Sequence, residues 1–318
     1  MRLLITGGAG YIGGVVATQL IDAGHQVTVL DDLSTGHADA VVQGATFVRG
    51  TIREAEDVLR EGCDGVVHLA AKSIVGESVA RPEVYWARNL GGTVALLEAM
   101  RRTGVPRLVF SSTAATYGEP DVTPIPEDTP PRPTNPYGAT KLAVDTVIGE
   151  YARAGVVGGA SLRYFNVAGA SGALGERHDP ETHLIPIVLQ VALGQRDAVQ
   201  VYGDDYPTPD GTCVRDYIHV EDIARAHLLA LGDAEVGRHA IYNLGNGSGF
   251  SVREVIEVAR RVTGHPIPTH DAPRRAGDPA VLVASSERVR AELGWKPEKP
   301  SLTRMVSDAW DFASRDAH

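Results

Sequence analysis

The chain has 318 residues, with 30 Lys and Arg against 40 Asp and Glu and a net charge of -10, which excludes a general nucleic-acid or acidic-membrane surface and leaves any anionic ligand to a local group of arginines. Its two cysteines, Cys63 and Cys213, are too few for a disulfide framework and sit in no metal-binding spacing, so no metal is expected. No apolar run approaches the ~18 residues of a membrane span, and the chain opens on an apolar strand rather than a basic leader, so a cytoplasmic location is the expectation.

Short apolar runs at 3–6, 27–30, 46–48, 65–69, 108–111 and 160–164 alternate with helical patterns near 11–23, 82–103 and 137–154. Runs apolar on both faces, alternating with helices, predict an α/β fold with a Rossmann-type, doubly wound parallel sheet. The Pro-rich stretch 120–136 reads as a turning loop that delivers Tyr137. Beyond 168 the pattern loosens into long loops at 171–182 and 206–211, which in a compact protein cover or line a site. Helical patterns return at 183–193, 219–231, 251–262, 285–293 and 301–313. The expected division is a dinucleotide-binding domain at 1–168, to which 213–245 returns, and a smaller C-terminal α/β substrate-binding domain at 169–318.

Gly7, Gly10 and Gly13, with Tyr11 and Ile12 between the last two, follow the first strand and open the first helix. A tight turn, close approach of backbone to a pyrophosphate and close helix packing all need residues without a side chain at that place. Asp31 closes the second strand, where a carboxylate can accept both hydrogen bonds of an adenosine ribose; Asp32 could serve the turn equally well. No arginine or lysine lies between Leu30 and Phe47, so a 2′-phosphate would face both carboxylates uncompensated, and NAD is expected rather than NADP. Leu69, Ala70 and Ala71 end the fourth strand with small residues. Asn89, inside an apolar-periodic helix, either positions the cofactor or bridges backbone groups.

Tyr137 and Lys141 stand four apart on one predicted helix, so an ammonium can lie beneath a phenol. Free tyrosine titrates near pH ~10, and each unit of downward shift requires about 1.4 kcal/mol of preference for the phenolate, which gives the cation a purpose. Such a tyrosine exchanges a proton with a sugar hydroxyl, and Thr113, at the end of the fifth strand, offers a hydroxyl to bridge the two.

These residues resemble the extended short-chain dehydrogenase/reductases. Gly76-Glu77-Ser78, Asn135-Pro136-Tyr137-Gly138, Arg163-Tyr164-Phe165-Asn166, the run Tyr206 to Thr212, the run Val214 to Val220 and Pro273-Arg274-Arg275-Ala276-Gly277-Asp278 are similar, within them, to the UDP-glucose (UDP-galactose) 4-epimerase family, colinearly from Met1 to about Trp310. The resemblance implies interconversion of UDP-galactose and UDP-glucose: Tyr137 removes the proton of the sugar 4-hydroxyl while C4 gives a hydride to tightly bound NAD, Lys141 depresses the Tyr137 pKa and binds the nicotinamide ribose, and Thr113 holds the reacting oxygen. It also implies cofactor contacts from Thr51, Ile52 and Tyr164, and substrate contacts from Asn166, His183, Leu184, Tyr202, Arg215, Arg275 and Asp278. Of these, Arg215 and Arg275 take the diphosphate, Asp278 the uridine ribose and Tyr202 the uracil; His183 could equally be a helix cap. A homodimer is implied, through helices 82–103 and 137–154.

Where sister dehydratases carry an acidic pair after the hydroxyl residue, this chain has Ala114 and Ala115, so water elimination lacks its acid and base. The family usually has serine at Thr113; many relatives have aspartate at Thr51 and some a lysine at Ser73, next to Lys72 here. Leu282, near the wall of the sugar pocket, leaves open whether UDP-GlcNAc and UDP-GalNAc fit. Competing readings are a 4-epimerase of another UDP-sugar, such as UDP-glucuronate or a UDP-pentose, and a non-catalytic NAD-binding sensor, against which Thr113, Tyr137 and Lys141 all stand.

Overall fold

The computed structural model describes residues 1–275 and 277–315; Ala276 of the Pro273 to Asp278 motif lies outside the described residues. Seven parallel strands form the main sheet in the spatial order His239–Leu244, Gly158–Tyr164, Arg107–Thr113, Gly65–His68, Arg2–Thr6, Gln26–Asp31, Thr46–Arg49. The order reverses between Arg2–Thr6 and Gly65–His68, paired with Ile5 opposite Val67. At such a switch point the loops leave in opposite directions and a crevice opens beyond the strands' carboxyl ends. All residues of Gly65–His68 and Gly158–Tyr164 are buried, as helices on both faces require.

Helix Tyr11–Asp22 and helix Val220–Gly232 cover one face, where Leu3, Val16, Leu20, Ile223 and Trp295 share a core. Helices Gly92–Thr103 and Pro136–Arg153 cover the other, around Leu4, Leu97, Phe110, Val144 and Ile148. A further core joins helices Leu184–Ala192, Val252–Thr263 and Leu302–Arg315 through Ile185, Val188, Val255, Met305 and Val306. Beside it lie a four-stranded sheet built on Val214–His219 and the strand pair Val199–Tyr202 with Thr269–Ala272. Among the described residues, no helix is long and apolar enough to cross a membrane.

The predicted strands of the first half and all the predicted helices are present, with one internal difference. The helix expected over 82–103 is continuous, but Trp86–Gly91 widens into a π-helical turn between Pro82–Tyr85 and Gly92–Thr103. That turn carries Asn89, whose partners lie outside the helix; such widened turns gather at functional places. Short helices at Ala55–Arg60 and Val75–Ala80 and the edge strand His239–Leu244 carry no period long enough to read from sequence.

Trp295 is fully buried, its indole N–H donates to the Asp222 carbonyl at 2.9 Å, and the Asp222 carboxylate accepts from the N–H groups of Glu298 (2.8 Å) and Lys299 (3.0 Å). These contacts sew the segment after helix Glu287–Leu293 onto helix Val220–Gly232. Trp295→Ala should cost about 3–5 kcal/mol of folding stability, read as a lower denaturant midpoint.

Candidate active site

One cleft of about 2030 Å³ runs from the glycine turn, past the end of strand Arg107–Thr113, to the small sheet. Every site residue expected from sequence lines it except Asn89. Gly7 holds a φ of +76°, and a Cβ there would lie 2.6 Å from the Ala70 N–H nitrogen. A Cβ on Gly13 would lie 2.2 Å from the Gly7 carbonyl oxygen, so helix Tyr11–Asp22 rests directly on the turn. Gly10 is different: an added Cβ would meet only that same oxygen, at 3.4 Å, and its bare face looks into the cleft. Gly10 caps the helix with no side-chain hydrogen bond, and no acidic residue occupies the first turn. The first N–H groups and the positive end of the helix therefore face the cleft, as an anion such as a pyrophosphate requires.

Asp31 is buried, with one carboxylate oxygen accepting from Ala9 N–H (3.0 Å) and the other from Leu33 N–H (2.9 Å). Asp32 accepts from Ser34 N–H at 2.9 Å; burial raises its pKa, but Ser34, Arg88 and Lys72 together hold it below the ordinary value. Arg88 and Lys72 are cleft residues that the sequence reading did not assign to this carboxylate. Thr51 commits its hydroxyl to a capping box, donating to Glu54 at 2.8 Å and accepting from Arg53 N–H at 3.3 Å. Asn89 stands behind the wall. Its amide accepts from Lys72 N–H (2.8 Å) and donates to the Lys72 carbonyl (3.0 Å) and Thr140 hydroxyl (3.2 Å), so it bridges backbone and helix.

Helix Pro136–Arg153 starts with Asn135 accepting from Gly138 N–H at 2.9 Å and with proline at its first position, both strong start signals. A Cβ on Gly138 would sit 2.4 Å from the Ala115 carbonyl oxygen. Glycine there lets the first turn dock on the residues after Thr113, bringing the Tyr137 phenol to the Thr113 hydroxyl. Burial pushes the Tyr137 pKa up, and the hydrogen bond from Thr113 opposes it. The Tyr85 ring meets Tyr137 edge-on at 6.5 Å, held by hydrogen bonds to the Ile74 carbonyl (2.6 Å) and Glu77 (2.9 Å).

Lys141 shares the helix face with Tyr137 but points elsewhere. Its ammonium donates to the Ser111 carbonyl at 2.7 Å and lies 4.6 Å from the centre of the Phe110 ring. Burial lowers its pKa to about 7, against the pull of Asp145. Of the groups around the phenol, Thr113 is the one that draws its pKa down against burial. Tyr164 lies deeper, its hydroxyl 2.5 Å from His227 Nε2, and burial pushes its pKa far up.

At the other end of the cleft, the Arg275 guanidinium covers the Tyr202 ring at 3.9 Å. Arg215 donates to the carbonyls of Val214 and Pro279, each at 2.9 Å, and lies 3.5 Å from Asp278. Asn166 and Leu184 line the wall between these groups and Tyr137. His183 caps helix Leu184–Ala192 by position, without a side-chain cap bond, and turns its ring to Glu176 and Glu181. Burial lowers its pKa, but these carboxylates outweigh it and hold the imidazole up at about 10. Glu176, His178 and Glu181, read from sequence only as part of a long loop, are cleft residues too.

A glycine turn at the switch point, a pinned carboxylate on the next strand and a hydroxyl beside a tyrosine define a dinucleotide-dependent enzyme of the doubly wound class. The profile of the NAD dependent epimerase/dehydratase family matches residues 3–245, and the chain belongs to that family. It is 58% identical over 316 residues to the UDP-glucose 4-epimerase of Corynebacterium glutamicum, covering 99% of this chain and 96% of the relative. It is 60% identical over 319 residues to that of Streptomyces lividans, covering 98% and 96%. Among solved structures, it matches a UDP-glucose 4-epimerase from Brucella ovis in complex with NAD at a TM-score of 0.93, with 44% identity and 98% of each chain covered. It also matches one from Bifidobacterium longum in complex with NAD+ and UDP at a TM-score of 0.93, with 37% identity and 99% of each covered.

The two kinds of glycine separate by substitution. Gly13→Ala should destabilise by about 1–3 kcal/mol through its collision with the turn, whereas Gly10→Ala should stay within about 1 kcal/mol of the parent; thermal unfolding of both measures the difference.

Proposed function

We propose that this chain interconverts UDP-galactose and UDP-glucose with NAD held between turnovers. The observation that carries the reading is that Thr113 and Tyr137 line one cleft together with the bare helix N-terminus at Gly10 and with Arg215 and Arg275. The donor set fits a dinucleotide: Gly10 leaves room for a pyrophosphate, and Asp31 offers a ribose a fixed carboxylate, which a 2′-phosphate would meet as a like charge. Residues 1–168, with 213–245 returning to them, carry the cofactor, and 169–318 the sugar nucleotide. This division is supported by the packing of helix Val220–Gly232 and strand His239–Leu244 on the first core, whereas strand Val214–His219, which carries Arg215, joins the small sheet beside the substrate half.

Bound NAD supplies the acceptor, then the donor, of the sugar C4 hydride, and in its oxidised form adds a positive charge. Tyr137 takes the 4-hydroxyl proton, which Thr113 guides by hydrogen bonding the same oxygen. Lys141, on the same helix and lining the same cleft, draws the phenol toward its ionised form and binds the nicotinamide ribose. Arg215 and Arg275 hold the diphosphate, Asp278 the uridine ribose and Tyr202 the uracil, with Asn166, His183 and Leu184 along the wall. The 4-keto sugar then presents its other face, Tyr137 returns the proton, and no net oxidation results. Ala114 and Ala115 put no acid or base at the two positions after Thr113, where water elimination needs a pair.

A cytoplasmic homodimer completes the proposal. It pairs the helical path 82–103 with helix Pro136–Arg153 across a two-fold axis, and the exposure of Trp86 and Val79 beside that path supports it.

Purified protein should convert UDP-galactose to UDP-glucose without added NAD, resolved chromatographically. Tyr137→Phe should lower kcat by about 10²–10⁴-fold while circular dichroism and bound cofactor stay unchanged; an unaltered rate would remove Tyr137 as the base.

A further inference from the structure

Glu176, His178, Glu181 and His183 bring four metal-ligating side chains to one point, and one ligand atom from each lies within 4.8 Å of the others. His183 Nδ1 stands 2.7 Å from Glu176 Oε1 and 2.9 Å from Glu181 Oε1, and His178 Nδ1 stands 2.9 Å from the same Glu176 oxygen. The two carboxylate side chains are only 10% and 3% exposed. A ring nitrogen carries a single proton, so His183 Nδ1 cannot give a full hydrogen bond to both. Two like charges are thus held, largely out of water, with two Nδ1 atoms shared among three close contacts, around a point that a dication would serve well.

We propose that these four side chains bind one divalent transition-metal ion of the zinc class, His178 and His183 through Nδ1 and Glu176 and Glu181 through Oε1. The ion fixes the 176–183 segment as a wall of the cleft. Imidazole nitrogen selects zinc-like ions over magnesium or calcium, which take oxygen. Two neutral imidazoles and two carboxylates carry a charge that one dication cancels. Bonds of about 2.0–2.2 Å in a tetrahedron set ligand atoms roughly 3.3–3.6 Å apart, so on binding the close pairs open and the widest pair closes. On binding, each Nδ1–H bond breaks, its proton passes to solvent, and the nitrogen lone pair goes to the metal.

The outer contacts are those of a built site. Glu181 Oε1 also accepts from the N–H groups of Thr182 (2.6 Å) and His183 (2.7 Å), which fixes its orientation. Arg177, between Glu176 and His178, is clamped to Asp39 by hydrogen bonds of 2.8 and 2.9 Å, and its carbonyl lies 3.2 Å from His37 Nε2. The segment is therefore anchored on the cofactor side before any ion enters.

The test uses the full-length chain without an affinity tag, loaded with Zn²⁺ and desalted, with metal measured by mass spectrometry. About one equivalent per chain is expected, falling below about a tenth in the Glu176→Gln/His178→Asn variant. Zn²⁺ at about 100 times its Kd should also raise the thermal midpoint of the parent by several degrees but not that of the variant. Loading the parent with Co²⁺ should give the intense visible bands of a four-coordinate ion, a readout that stands even if the variant fails to fold. Less than about a tenth of an equivalent in the parent, equal metal in parent and variant, or the weak spectrum of six-coordinate Co²⁺ would each overturn the proposal.

Discussion

The contact between Gly138 and the Ala115 carbonyl decides where the chemistry stands. A helix whose first turn can rest on the backbone after strand Arg107–Thr113 carries its second residue, Tyr137, to the level of Thr113. Any side chain at 138 would lift that turn and part the phenol from the hydroxyl. The parallel register does the rest: Thr113 pairs with Tyr164, so the strand ends that bear these groups lie level. From that edge the cleft extends one way to Gly10 and the other to Arg215. A distance set by backbone contact is stiffer than one set by a flexible side chain, and proton transfer depends on it steeply.

Behind the helix lies a set of buried charges whose worth is geometric. Arg163 and Asp145 pair at 3.0 Å with almost no exposure, Ser112 donates to the same Asp145 oxygen at 3.1 Å, and the other oxygen is buried without a partner. A buried ion pair repays little more than its own desolvation. What it does is tie helix Pro136–Arg153 to the two strands beneath it, while Arg163 also covers the Tyr117 ring at 4.8 Å. Lys141 is a plainer cost. With its pKa lowered from 10.5 to about 7 by burial, the ammonium destabilises the folded state in full below about pH 7, and the cost vanishes as pH rises toward 10.5. That cost falls on a residue that lines the cleft one helical turn from Tyr137.

The sequence made the scaffold legible because strands apolar on both faces and long amphipathic helices carry their own period. The glycines were legible too, since Gly7 and Gly13 answer to contacts within a single strand, turn and helix. What stayed hidden depends on partners distant in the chain. The widened turn at Trp86–Gly91 exists alongside contacts of Asn89 with Lys72 and Thr140, which no helical period encodes. The Lys141 ammonium follows the helix face as the spacing requires, but its direction is set by the Ser111 carbonyl, thirty residues away. Thr51 was readable as a hydroxyl at the cofactor end, yet the glutamate three residues on claims it for a cap. The Glu176 to His183 group meets only because its loop folds back on itself, which no helical or strand period encodes.

The two ends of the cleft are built differently, and the proposed reaction needs that difference. Turning a keto sugar over requires that the sugar be held loosely while its nucleotide is held fast, since a site complementary to one face would trap it there. Fork-shaped cations and an aromatic ring stand together at the nucleotide end, where Arg275 stacks on Tyr202 and Arg215 is fixed by two carbonyls and Asp278. Around Thr113 and Tyr137 the lining includes the small or aliphatic Ala114, Ala115 and Leu282. A tight grip at one end thus becomes freedom at the other, and the fixed phenol meets whichever face the sugar presents.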